Sequence, residues 1–424
     1  MQQDSDEWLV SVDDHILEPP NLWTDRLPAK FRELGPRWIT DDKGEAWIFG
    51  GKDRYPIGGA ITCGAIWPPD DRPAPYYPLR WEDIPHACYD PSARIEAMNR
   101  DHVLAAMLFG TFPGFDGNRF AQHPDKELAL LCIQAYNDWM LDEFCSSYPG
   151  RFIGLALVPL WDAQLAAAEA ERAIRKGARA ISFSMAPHNL GFPSILDPQN
   201  YWDPLFAVLN ETGLPLCTHL GTDFNGDIDT ATKLATTFSA PGVGAVMMQL
   251  AGQLTLLEWV NSSNFKRFPN LKLVLSENGI GWIPTVLQIA DWLLEMNRTR
   301  VTVSTDFEND PLLDEGARAM ARNTVKARAD AAINAPLPSE IFHQHIYGCF
   351  INDQVGCKLI DLIGEDNIMI ESDFPHTSTW YPFTMEKADE ALQGVSPDVR
   401  RKILRGNAER VFQFTPAELH APVS

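Results

Sequence analysis

Eight short apolar runs, at 8–13, 103–109, 152–158, 178–183, 214–218, 271–276, 346–351 and 367–372, limit the fold of this chain more than any other feature. Most are continuously hydrophobic rather than alternating, as strands of a parallel sheet covered on both faces must be. Amphipathic stretches at 91–101, 124–148, 162–176 and 239–266 fall between them and predict helices. Strand then helix, repeated eight times, predicts an α/β fold, a (β/α)8 TIM barrel. Such a barrel needs about 250 residues, so the 424-residue chain is expected to be one domain over 1–424 with two additions. The first is a cap at 20–90, after strand one, rich in Pro, Gly and aromatics (Trp47, Trp67, Tyr76, Tyr77, Trp81) and too irregular for helix. The second is an Ala-, Arg- and Asp-rich insertion at 302–336 with helical spacing, before strand seven, expected as a surface excursion or an oligomer contact.

The formal net charge is −22 and no run of Lys or Arg is present, which argues against nucleic acid or an anionic membrane as partner and for a small molecule. No apolar stretch reaches the roughly 18 residues of a membrane span, and the start MQQDSDE lacks the layout of a signal peptide, so a soluble, cytoplasmic protein is expected. Seven cysteines without a CxxC pair, several inside apolar runs, predict buried reduced thiols with neither a disulfide framework nor structural zinc.

In barrels of this kind the chemistry lies at the carboxyl ends of the strands. Strand one ends in Asp13-Asp14-His15 with Glu18 following, strand five in Thr218-His219, strand six in Ser276-Glu277-Asn278, and strand eight in Ser372-Asp373 with His376 beyond. Asp13 and His15 are two apart, so on an extended chain they share a face and Asp14 takes the other. Carboxylates gathered at one mouth repel one another unless a divalent cation joins them, so the pattern asks for metal. Asp13, His15, His219, Glu277 and Asp373 are the candidate ligands. Glu18 is a further candidate, with an arginine salt bridge as its alternative. His345, near the start of strand seven in FHQHIYGCF, is read either as a ligand of a second metal or as a lower-layer core histidine. His376 is an additional ligand or a group supporting one, and Asn352 and Asp353 at the end of strand seven are candidates for orienting substrate. The remaining histidines, 86, 102, 123, 188, 343 and 420, have no strand-end placement and are expected to be structural or exposed.

The DxH ending of strand one (Asp13, His15), the THLG of strand five (His219), the FPNLKLVLSENG of strand six, the SDFPH of strand eight (Asp373, His376) and the closing KILRGNAERVF at 402–412 resemble the amidohydrolase superfamily, in the branch that includes aminocarboxymuconate-semialdehyde decarboxylase and related aromatic-acid decarboxylases. The resemblance covers almost the whole barrel and implies a divalent metal on Asp13, His15, His219 and Asp373. Two departures stand out. Strand four offers no lysine that could be carbamylated to bridge two metals, although Lys176 lies shortly before it, and strand six carries Glu277 where many members place a histidine.

Asp13, Glu18, Glu277 and Asp373 with His15 and His219 make a carboxylate-rich set like that of oxygen-activating diiron proteins, and carboxylate with imidazole suits Fe or Mn, imidazole also zinc. The leading expectation is therefore a diiron monooxygenase on an amidohydrolase barrel, hydroxylating a sizeable substrate with O2. The alternative is the family's ordinary chemistry with Zn or Mn, hydrolysis or non-oxidative decarboxylation of an organic acid. In that reading Asp373 accepts the proton of the attacking water, with Glu277 and His376 beside it. A non-catalytic binding barrel is disfavoured, because candidate ligands come from several strands at one mouth. A homodimer is expected.

Overall fold

All eight apolar runs form parallel strands: β1 (Leu9–Ile16), β2 (Val103–Gly110), β3 in two pieces (Phe152–Ile153 and Leu155–Ala156), β4 (Ala180–Ser182), β5 (Pro215–His219), β6 (Lys272–Ser276), β7 (Ile346–Phe350) and β8 (Ile368–Ile370). The structure is a computed structural model, and it describes residues 7–51, 53–55, 66–67, 72–73, 80–222, 241–299, 305–330, 335–376 and 378–418. β1 pairs with β2 and β2 with the first piece of β3, while the second piece of β3 continues through β4, β5, β6 and β7 to β8. This is barrel order, carried as two ladders with two seams rather than as one closed ring. One seam is Gly154, where an added Cβ would meet Leu141 at 2.6 Å. The other lies between β8 and β1, which the Asp373 N–H crosses to the Asp13 carbonyl and the His15 N–H crosses to the Phe374 carbonyl, both at 2.8 Å.

The predicted helices follow their capping chemistry. Asp90, Asp125 and Asp162 stand at the N-caps of α1 (Pro91–Arg100), α2 (Lys126–Asp138) and α3 (Ala163–Arg175), and each accepts a hydrogen bond from a first-turn N–H, which satisfies donors a helix start leaves free. Val10, Val12, Ala105, Met107, Ile153, Leu155, Cys217, Val274, Cys349 and Met369 fill the space inside the strands, and Ala408, Val411 and Phe412 join the same cluster. A second, larger cluster lies between strands and helices, the two-sided burial that the continuous apolar runs require.

The cap is more regular than its composition suggests. Arg37–Asp41, Gly44–Phe49 and Asp53–Tyr55 form a three-stranded antiparallel sheet, and Gly44, at φ 96°, supplies the left-handed residue where the turn enters the second strand. Trp47 packs edge-on against Trp23 and Trp38, both at 5.3 Å between ring centroids, and Trp81 against Trp38 at the same distance. The side chains of Trp67, Tyr76 and Tyr77 lie outside the described residues. Within 302–336, residues Glu315–Asp330 are helical, as the spacing predicted. The six cysteines among the described residues are free thiols, and no helix among those residues is long and apolar enough to cross a membrane.

Candidate metal site

A one-residue bulge in β1 aims the first two donors. Between Ser11 and Asp14, β1 advances three residues while β2 advances two, from Ala106 to Leu108. Val10 and Val12 point into the barrel, and strict alternation would have sent Asp14 after them. The bulge shifts the phase, so Asp13 and His15 face inward while Asp14 turns to the outer side, where Ser11 (2.8 Å), Ser372 (2.5 Å) and Arg94 (3.4 Å) meet its carboxylate. β5 brings His219 level with Ser276 of β6, and the loops after β6 and β8 deliver Glu277 and Asp373.

Asp13, His15 and His219 converge with their donor atoms within 4.8 Å of one another, and His15, Asp373 and His376 form a second such group. His219 Nε2 is 3.2 Å from Asp13 Oδ2 and 3.6 Å from Glu277 Oε2. His15 Nε2 is 2.7 Å from Asp373 Oδ1 and 4.0 Å from Asp13 Oδ1. His376 Nδ1 is 3.2 Å from Asp373 Oδ2 and 3.7 Å from Glu277 Oε1. Adjacent ligands of one cation at bonds near 2.1 Å stand about 3 Å apart, which is the scale of these separations. Both Asp13 oxygens and His219 Nε2 are buried without a hydrogen-bond partner. The other ring nitrogen of His219 is 2.6 Å from the Leu220 carbonyl; donating there fixes the tautomer that leaves Nε2 a bare lone pair. Orphaned anionic and imidazole donors aimed at one point fit a divalent cation.

The electrostatics agree. Burial, then the charges of Asp373 and Glu277, push the Asp13 carboxyl well above its usual range. Burial lowers His15 to about 3 and also lowers His219, so both imidazoles are neutral, the form that binds metal. Burial opposes charge on Asp373 and His376 as well, but the pair overcomes it, Asp373 being held low by His376 and His15 while Asp373 and Glu277 raise His376 to about 9.

Two expected placements, of Glu18 and Asp353, are corrected, and His345 takes the second of its two readings. Glu18 does not join the converging donors: its two oxygens accept the Thr111 and Phe112 N–H groups, each at 2.9 Å, so it ties the loop after β2 to the loop after β1. His345 sits at the opposite end of the barrel, stacked on Phe265 at 4.5 Å with Nδ1 3.0 Å from the Leu271 carbonyl, the lower-layer core position. Asp353 accepts the N–H groups of Ile280, Gly281 and Gly356 and is thereby a scaffold for the loop after β6. Lys176 lies outside the barrel, 3.0 Å from Asp138, consistent with the missing bridging lysine. Asp14 takes the wall position expected of it.

Three functional neighbours were not read from the sequence. Arg94 of α1, fully buried, donates to the Ala87 and His15 carbonyls and stacks over Phe374 at 4.5 Å, holding the β1 end in place. Nothing local marks it. Phe115, in the loop after β2, covers the imidazoles of His219 and His15 at 4.1 and 4.8 Å. Glu371, fully buried, accepts the Glu277 N–H. Its spacing of two before Asp373 was the available signal.

This donor set could hold a metal ion at the mouth of an α/β barrel. The chain belongs to the amidohydrolase family, whose model, described as Amidohydrolase, matches residues 63–414. It is 25% identical over 306 residues to gamma-resorcylate decarboxylase of Polaromonas sp. strain JS666, covering 68% of this chain and 78% of that one. It is 23% identical over 343 residues to 2-amino-3-carboxymuconate-6-semialdehyde decarboxylase of Dictyostelium discoideum, covering 79% and 80%. Among solved structures, 5-carboxyvanillate decarboxylase from Novosphingobium aromaticivorans, with bound manganese and 3-methoxy-4-hydroxy-5-nitrobenzoic acid, superposes with a TM-score of 0.62 at 18% identity, over 98% of this chain and 99% of that one. These names carry decarboxylation and manganese; neither iron nor oxygenation appears in them.

Proposed function

We propose that this chain is a metal-dependent non-oxidative decarboxylase of an aromatic or similarly conjugated carboxylic acid, with manganese or zinc held by Asp13, His15, His219 and Asp373. The observation that carries it is the pairing of orphaned donors on Asp13 and His219 with an adjacent proton-holding group, Glu277 and His376. The similarity to benzoate-type decarboxylases supports the substrate class. It favours this reading over the diiron oxygenase that the carboxylate count suggested.

Non-oxidative decarboxylation replaces a carboxylate by a proton on the same carbon: the C–C bond breaks, its electron pair stays on the ring carbon, and neutral CO2 leaves. A bound divalent cation supplies charge neutralisation for the anionic oxygens of the substrate. The protein must add a proton at carbon and exclude water. His376, hydrogen-bonded to Asp373 and facing Glu277, holds that proton, and Ser378, 3.2 Å from Glu277 Oε1, steadies the carboxylate that shares it. Phe115 and Phe109 give the site an apolar wall on the His15 and His219 side. The test is anaerobic release of CO2 from a panel of hydroxybenzoates by the manganese-loaded and zinc-loaded protein. Turnover without O2 is expected, and turnover that requires O2 would sink the proposal.

A second reading keeps one observation. The two donor groups share only His15, and with Glu277 facing both His219 and His376 they offer more donors than one ion requires. Two irons activating O2 would use them. Close to two irons per chain after anaerobic reconstitution, forming a coupled diferric pair in air by Mössbauer spectroscopy, would favour that reading; one manganese or zinc, indifferent to O2, returns the site to decarboxylation.

A further inference from the structure

Glu277 and Asp373 are both non-glycine residues in the left-handed backbone region, with φ of 59° and 53°. That conformation is costly for a side chain with a Cβ and persists only where the surroundings enforce it. For Asp373 the enforcing contact is the seam itself, its N–H on the Asp13 carbonyl. For Glu277 it is a side chain. Glu371, which is fully buried and one residue past the end of β8, presents both carboxylate oxygens to the Glu277 N–H at 3.0 and 3.2 Å. Its own N–H is fixed on the Phe350 carbonyl of β7 at 3.0 Å, so the acceptor is anchored to the barrel. The other side of Glu277 is held too, since Gln249 donates to its carbonyl at 3.2 Å. Farther along the same loop, Asp353 accepts the N–H groups of Ile280 and Gly281.

A buried carboxylate beside Asp13, Glu277 and Asp373 is expensive, and a loop fold alone does not require one, since most such N–H groups find a carbonyl. What Glu371 achieves is specific to Glu277. With the backbone at positive φ, the Glu277 carboxylate faces His219 Nε2 at 3.6 Å and His376 Nδ1 at 3.7 Å. An extended backbone at that position would turn the side chain elsewhere. We propose that Glu371 is a positioning residue: its carboxylate locks the left-handed backbone of Glu277 and so aims the Glu277 side chain between the metal-facing His219 and the proton-holding His376.

The turnover part of this inference rests on the decarboxylase reading; the geometric part does not. The experiment therefore has two arms on the manganese-loaded protein: crystal structures of three variants at position 371, and a double-mutant cycle with Glu277→Ala. Glu371→Gln keeps a carbonyl acceptor and is expected to keep Glu277 at positive φ and kcat within about threefold of wild type. Glu371→Met, of similar length but without an acceptor, and Glu371→Asp, which keeps the charge but withdraws it by a methylene, are expected to release Glu277 from the left-handed region. Each is expected to lower kcat by about tenfold or more with KM little changed, a loss that disappears when Glu277 is already alanine. Using both variants guards against one failing to fold. Structures in which Glu277 keeps its backbone and still faces His219 and His376 without the 371 acceptor would overturn the proposal, as would a loss of the same size in the Glu277→Ala background. Should the wild type decarboxylate nothing, the decarboxylase reading fails and the crystallographic arm alone decides the role of Glu371.

Discussion

His219 Nε2 lies 3.2 Å from Asp13 Oδ2, yet the two atoms do not hydrogen-bond each other and neither has another partner. Two buried groups this close that ignore one another are arranged around a third thing. In the proposed site a divalent cation would satisfy both at once, and would convert the like-charge crowding of Asp13, Glu277 and Asp373 from a penalty into binding energy.

Metal removal should therefore be felt as lost stability as well as lost activity. At a free metal concentration 100 to 1,000 times Kd, the holoprotein is expected to exceed the apoprotein by about 2.7 to 4.1 kcal/mol, read from chemical denaturation with and without chelator. Asp13→Ala and His219→Ala are expected to purify folded, to carry less than about a tenth of the wild-type metal by elemental analysis, and to lose that increment. Folded variants with full metal content would show the site to be elsewhere.

Arg94 should matter for stability out of proportion to its distance from solvent chemistry. It is a fully buried cation meeting Asp14 and two main-chain carbonyls. Arg94→Met leaves the buried Asp14, still bonded by Ser11 and Ser372, without its counter-charge and frees the His15 carbonyl, for an expected loss of about 3 to 5 kcal/mol. Asp14→Asn in the same background should recover part of it, because the stranded charge is gone. An Arg94→Met protein within about 1 kcal/mol of wild type by urea denaturation would refute this account.

A pH dependence follows from Asp101, far from any proposed ligand in sequence. Its buried carboxylate accepts the Thr384 N–H and hydroxyl, and burial raises it to about 7. Because the folded value lies above the unfolded one, the folded state holds this proton more tightly. Stability from this group is full below the unfolded value of 3.8 and is lost as pH rises toward about 7. The difference in unfolding free energy between wild type and Asp101→Asn should fall across that window by at most about 4 kcal/mol and stay level above it. A difference independent of pH from 4 to 8 would mean that Asp101 does not titrate in this window.

How much of this was legible follows from what each residue depends on. The eight strands were readable because parallel strands buried on both faces need unbroken apolar runs, and no other soluble element shows them at that spacing. His219, Glu277 and Asp373 were readable because a strand's end can be located once the strand is. The inward pair Asp13 and His15 was reached by alternation alone, whereas the structure achieves it through the bulge after Ser11, without which the inward phase of Val10 and Val12 would have continued to Asp14. A bulge is set by pairing with β2 and leaves no local mark. Glu18 went astray and His345 stayed divided between two readings for the same reason: carboxylate and imidazole look alike whether they serve a metal or the main chain, and the difference lies in backbone atoms of Thr111, Phe112 and Leu271 that only the folded chain brings near. Arg94 needed a long-range partner to acquire meaning.

His376 separates the two readings of the site. It is 3.2 Å from Asp373 Oδ2 and 3.7 Å from Glu277 Oε1, and it remains partly accessible while Asp373 is fully buried, so it can meet a substrate as well as its carboxylate partners. If it delivers the proton, His376→Gln should leave the metal content of the manganese-loaded protein unchanged. It should also lower kcat by about a hundredfold or more, the usual scale for losing a general acid, with a smaller effect on KM. Elemental analysis and steady-state kinetics on one preparation read both quantities. Retained metal with lost turnover assigns His376 to proton delivery. Loss of one of two metals per chain instead makes it a ligand, and the donor group it forms with His15 and Asp373 becomes the second half of a dinuclear centre.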